Sequence, residues 1–132
     1  MEGHCHCGAA RWRLEAPVTW SALCHCEDCR RIAGAPVVGF MGAARKGVAW
    51  EGKASRYASA PGNARLFCAR CGTPLGFLGF RYPDEVFLHA ATLANPEVFR
   101  PDCHVMAGEA LSWCRIEDGL PRHEGFNEAR GT

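Results

Sequence analysis

The chain has 132 residues, 48% of them hydrophobic and 22% charged, with a formal net charge of +1. That balance fits one globular domain over residues 1–132, and the near-neutral charge, with no lysine-rich stripe, argues against a nucleic-acid partner. No basic segment followed by an apolar run opens the chain. The longest apolar stretches, at 35–41 and 74–80, fall far short of the roughly 20 residues of a membrane helix, so no membrane contact and a cytoplasmic, reducing location are expected. In such a compartment nine cysteines point to metal or thiol chemistry before disulfides.

In chain order, the first feature is Cys5-His6-Cys7-Gly8, followed by polar–apolar alternation at 11–15 that suits a strand. Cys24-His25-Cys26-Glu27-Asp28-Cys29 leads into a helical turn over Glu27–Ala33, opened by an acidic pair and stopped by Gly34. Strand-sized segments follow at 37–41, 47–50, 55–58 and 64–67, with Pro61-Gly62 as a turn. Cys68-Ala69-Arg70-Cys71-Gly72 comes next, then strands at 75–80 and 85–91 around Pro83-Asp84. A second helical piece is expected at 95–99, before Pro101. Many short strands between Gly and Pro turns predict a mainly β fold.

Seven of the nine cysteines lie in those three clusters. A closed structural zinc takes four protein ligands, and a catalytic zinc takes three and keeps one position open. Cys68-x-x-Cys71-Gly72 has the form of a zinc knuckle, its glycine allowing the positive φ that turns backbone amides towards sulfur. Cys5-x-Cys7-Gly8 repeats that logic, and the simplest tetrahedral site joins Cys5 and Cys7 to Cys68 and Cys71. Metal held there supplies folding energy, because the unfolded chain has no such site.

Cys24, Cys26 and Cys29 form a three-thiolate set at a helix start. His25, Asp28, His104, an external thiol and water are all candidates for its fourth position. An open zinc there would acidify a bound thiol and polarise a carbonyl, and its soft sulfur surroundings favour sulfur chemistry over peptide or phosphate hydrolysis. Arg30 and Arg31 are candidates to clamp a substrate carboxylate, with solvated helix arginines as the alternative. His104 is expected to be a hydrogen-bonded core residue, with approach to the open metal position, substrate contact or acid–base work near neutral pH as the alternatives. His6 and His25 are expected to point outward, with substitution for a cysteine ligand as the alternative. Cys103 and Cys114 read as small apolar residues, and Trp12, Trp20, Trp50 and Trp113 as sheet packing.

The stretches Gly3–Ala9, Cys24–Pro36 and Phe67–Leu75 closely resemble the glutathione-dependent formaldehyde-activating enzyme family, also called the centromere protein V/GFA domain. Thr92-Leu93-Ala94-Asn95-Pro96, Pro101-Asp102-Cys103-His104-Val105, Trp113 and Asp118-Gly119-Leu120-Pro121 resemble its C-terminal landmarks. The resemblance implies an Mss4-like β-tent of short antiparallel strands with one or two helical turns. It also implies two zinc ions: a structural one on Cys5, Cys7, Cys68 and Cys71, and a catalytic one on Cys24, Cys26 and Cys29. The implied activity is a carbon–sulfur lyase reaction, in which a thiol such as glutathione and an aldehyde such as formaldehyde form or release S-hydroxymethylglutathione or a similar adduct. Two further hypotheses stand beside it: a non-catalytic binding module with both metals structural, and a metal-free redox protein using Cys24 to Cys29 as thiols.

Overall fold

A computed structural model describes residues 1–126. They form two open sheets and one α-helix, so the fold is mainly β. The smaller sheet runs in the order β1 (Glu2–His4), β2 (Ala10–Leu14), β5 (Val48–Gly52). The larger sheet comprises β3 (Val18–Cys24), β4 (Val38–Ala44), β6 (Ala54–Ala60), β7 (Asn63–Cys68), β8 (Pro74–Leu78), β9 (Glu85–His89) and β10 (Cys103–Val105). Its spatial order is β10-β3-β4-β9-β8-β7-β6, with β10 parallel to β3 and the other pairs antiparallel.

Period-two alternation divides the large sheet into two unlike faces. Met41, Ala43, Leu66, Leu75, Leu78, Val86 and Leu88 point to one side and pack with Trp12 and Leu14 of the small sheet, giving the main core. Their neighbours in sequence, Val38, Phe40 and Phe87, point to the other side with Ala22, Cys24, Cys29, Cys103 and Val105. The second face carries the chemistry. Helix α1 (Glu27–Ala33) follows β3 and begins where Cys26 Sγ accepts the Cys29 backbone N–H; it ends at Gly34, whose φ of 62° suits glycine. The β6–β7 hairpin turns at Pro61-Gly62, with Ala60 opposite Asn63.

The helix occupies the expected residues, and the predicted strands are present with ends shifted by a few positions. Residues 95–99 hold only a 3-10 turn, Pro96–Val98. Three strands were not expected. β1 and β10 span three residues each, too few to show a period, and β3 has no clean alternation because bulged register and a cysteine cluster break it. Trp113 is 73% exposed, so it does not pack a sheet as expected. Among the described residues no helix is long and apolar enough to cross a membrane.

Candidate metal centres

Tight turns bring four sulfurs together. Cys5, Cys7, Cys68 and Cys71 have sulfurs within 4.8 Å of one another. Cys5 and Cys7 Sγ are 3.6 Å apart, and Cys7 and Cys68 Sγ, 61 residues apart in sequence, are 3.9 Å apart. A tetrahedral metal with bonds of about 2.3 Å sets its sulfurs about 3.8 Å apart, whereas a disulfide requires about 2.0 Å, so this spacing fits zinc. Backbone amides aim at the same sulfurs: Ala10 N–H at Cys5 (3.2 Å), and Arg70 and Cys71 N–H at Cys68 (3.4 Å each). Gly8 and Gly72 have φ of 79° and 82°, the left-handed turn expected after each second ligand. Thr73 ties the two turns, its hydroxyl accepting the His6 N–H at 3.0 Å and lying 3.2 Å from Cys71 Sγ. That hydroxyl helps draw the exposed Cys71 thiol down to about 5.

The second group is Cys24, Cys26 and Cys29, at the junction of β3 and α1, with Cys24 and Cys29 Sγ 3.7 Å apart. Hydrogen bonds from Cys24 and Cys29 hold Cys26 far below the ordinary thiol range, while bonding to Cys26 and Cys29 pushes Cys24 far above it. Three thiolates at this spacing repel one another, and a divalent cation is what allows all three to ionise together. The donor set therefore fits a soft divalent metal. Beside it lies a cavity of about 200 Å³ lined by Trp20, Phe40, Phe77, Tyr82, Phe87 and Phe126. Trp20 and Phe87 meet edge to face at 4.6 Å, fixing the aromatic wall.

None of the predicted fourth-position candidates from the chain joins this sulfur group. His25 is not turned outward as expected: it is 2% exposed, and its Nε2 lies 2.7 Å from His104 Nδ1. His104 is fully buried, and its Nε2 lies 2.9 Å from the Asp118 carboxylate. Since that carboxylate only accepts, His104 Nε2 donates to it, which leaves Nδ1 to accept from His25 Nε2–H. The chain of bonds fixes the residue between Cys24 and Cys26. Burial is the main cause that depresses the His25 pKa. His6 is exposed, as expected.

Of the predicted arginines, Arg31 is exposed and pairs with Glu27 at 3.0 Å, and Arg30 Nε donates to the His25 carbonyl at 3.1 Å. The arginine at the cavity is one the sequence did not single out. Arg65, on β7, is 3% exposed, pairs through Nη2 with Asp28, and has Nη2 3.6 Å from Cys29 Sγ. Its only sequence signal is a charge at an inward strand position. Cys103 is buried in the second cluster as expected, and Cys114 lines a different cavity among the C-terminal loops.

Residues 1–109 match the family model described as glutathione-dependent formaldehyde-activating enzyme. A Schizosaccharomyces pombe protein named an uncharacterized lyase is 27% identical over 118 residues, covering 82% of this chain and 86% of its own length. A Halomonas elongata protein with a provisional name as a glutathione-dependent formaldehyde-activating enzyme is 30% identical over 130 residues, covering 89% and 81%. A crystal structure of a Rhodobacter sphaeroides protein superposes with a TM-score of 0.62 at 24% identity, covering 74% of this chain and 94% of that one. That likeness bears on the fold. The family match takes in all seven clustered cysteines, and by it this chain belongs to the glutathione-dependent formaldehyde-activating enzyme family.

Proposed function

We propose that this protein is a zinc-dependent carbon–sulfur lyase that forms or cleaves a thiol–aldehyde adduct, with Cys5, Cys7, Cys68 and Cys71 holding a structural zinc and Cys24, Cys26 and Cys29 a catalytic one. The observation that carries this reading is the asymmetry between the groups. Four sulfurs close on each other across 61 residues, whereas three sulfurs face a cavity of about 200 Å³. When bound to the three cysteines, zinc supplies Lewis acidity that lowers the pKa of a neighbouring thiol.

The rest is done by the chain. The aromatic walls exclude water from the reacting groups, which strengthens polar interactions there. Arg65 Nη2 beside Cys29 offsets the negative charge of the thiolates, and Asp28 orients that arginine. The Asp118–His104–His25 chain holds the Cys24–Cys26 turn in place. In the forward direction the substrate sulfur bonds to the aldehyde carbon while the thiol proton passes to the carbonyl oxygen, so nothing is oxidised. The reverse direction releases thiol and aldehyde. Glutathione and formaldehyde are the pair that the family's name indicates, and a cytoplasmic setting would supply the thiol.

Metal analysis with circular dichroism tests this. The purified protein is expected to bind two zinc ions. Cys68→Ser should lose the fold, whereas Cys26→Ser should stay folded, carry one metal fewer and form no adduct from glutathione and formaldehyde. If Cys26→Ser unfolds as completely as Cys68→Ser, both metals are structural and the protein is a binding module.

A further inference from the structure

Strands β7, β8 and β9 bound a second cavity, of about 270 Å³, which shares Arg65 with the aromatic one. Ile32 of α1, Tyr57, Phe67 and Pro74 give it apolar walls, and Arg65 and His89 are its strongly polar residues. Both are nearly fully buried, at 3% and 5% exposure. Arg65 Nε and Nη1 and His89 Nε2 are buried with no hydrogen-bond partner among the described residues. Buried polar atoms in native proteins are rarely left so. Asp28 and Cys29 occupy Nη2 alone, and Phe77 lies under the guanidinium at 4.5 Å to its ring centre, which fixes its plane.

We propose that this second cavity is a carboxylate-binding subsite that takes a small monocarboxylate with an apolar stem. One carboxylate can set an oxygen on Arg65 and an oxygen on His89 Nε2–H at once, with the stem against Ile32, Tyr57 and Phe67. Burial, then the Arg65 charge, keeps His89 neutral, with its pKa down to about 3. The site thus offers a single cation already shared with Asp28, which suits a monoanion and leaves a phosphate dianion short of compensation. A neutral amide would leave the buried guanidinium without a counter-charge on this side. The carboxylate belongs either to a free acid or to an arm of the thiol substrate of the neighbouring site, since Arg65 lines both cavities.

Calorimetric titration of the zinc-loaded full-length protein with butanoate and with butyramide tests the proposal. Butanoate is expected to bind about tenfold tighter or better, the margin of a charge-assisted hydrogen bond, and to move the His89 ring ¹⁵N signals. His89→Phe, which keeps the ring against Phe40, should weaken butanoate binding several-fold, and Arg65→Gln should abolish the preference over butyramide. Because Arg65→Gln can fail to fold, the wild-type ¹⁵N shifts and the His89→Phe result decide the matter without it. Equal binding of the two probes, no binding of either, or unmoved His89 signals overturn the proposal. A second arm compares 4-mercaptobutanoate with butanoate in wild-type and Cys26→Ser protein. Tighter binding of the thiol acid in wild type alone identifies a substrate arm; equal binding in both identifies a free acid. Butanoate binding is read without turnover, so absence of adduct formation leaves this result standing.

Discussion

Thr73 shows how one side chain can prepare a metal site. Its oxygen accepts from the His6 N–H and lies 3.2 Å from Cys71 Sγ, so two turns from distant parts of the chain are aligned by a single hydroxyl. Groups that orient ligands in this way typically contribute 10- to 100-fold to metal affinity. Thr73→Val removes both bonds at nearly constant shape. We expect it to weaken zinc binding at the four-cysteine group by roughly 10-fold while leaving the three-cysteine group unchanged. Competition with a chromophoric chelator reads the two affinities. Arg65 acts at the same scale on the other site, as a buried cation whose hydrogen bond falls on Cys29 Sγ at 3.6 Å.

Strands decide where the cavity can exist. On β4, Gly42 lies opposite Trp20 of β3, and the indole covers the place where a Cβ would stand. That close approach is what lets Trp20 lie flat and wall the aromatic cavity. Gly42→Ala therefore displaces the indole towards Phe87 and Phe126, both in contact with it. Overpacking of this kind costs about 1 to 3 kcal/mol, and thermal denaturation of the zinc-loaded variant measures it. A variant as stable as wild type would show that the cavity wall is soft. The short β10 acts differently. By pairing in parallel with β3, it sets His104 opposite Leu23 and Val105 opposite Cys24, which brings His104 to His25.

At the scale of the whole molecule, the buried His89 links stability to pH. Burial, then Arg65, lowers its pKa to about 3 in the folded protein, against about 6.5 in the unfolded chain. Above pH 6.5 the ring is neutral in both states and has no effect. As pH falls from there towards 3, only the unfolded chain takes up the proton, so stability declines on the order of 1 kcal/mol per pH unit. Urea denaturation between pH 7 and pH 4 should show that slope, and His89→Phe should flatten it. An identical slope in wild type and variant would place the acid sensitivity elsewhere, at thiolates that lose metal when protonated.

The clusters Cys5–Cys7, Cys24–Cys29 and Cys68–Cys71 were legible in the sequence because candidate metal ligands on a tight turn each lie within three residues of the next. Gly8, Gly34 and Gly72 were legible too, since each marks a left-handed backbone position that the chain needs at that point. The helix and most strands followed from local pattern. What no local pattern holds is the pairing of distant segments. His25 looked exposed because it sits between two candidate ligands in sequence, and only β10, arriving some 79 residues later, buries it against His104. Arg65 was not singled out, because the partners that mark it, Asp28 and Cys29, lie more than 30 residues away in sequence. Sequence by itself determined which atoms can bind metal, because those ligands are local. Tertiary structure decided which cavity each site faces and which charges stand beside it, because those depend on contacts between residues far apart in the chain.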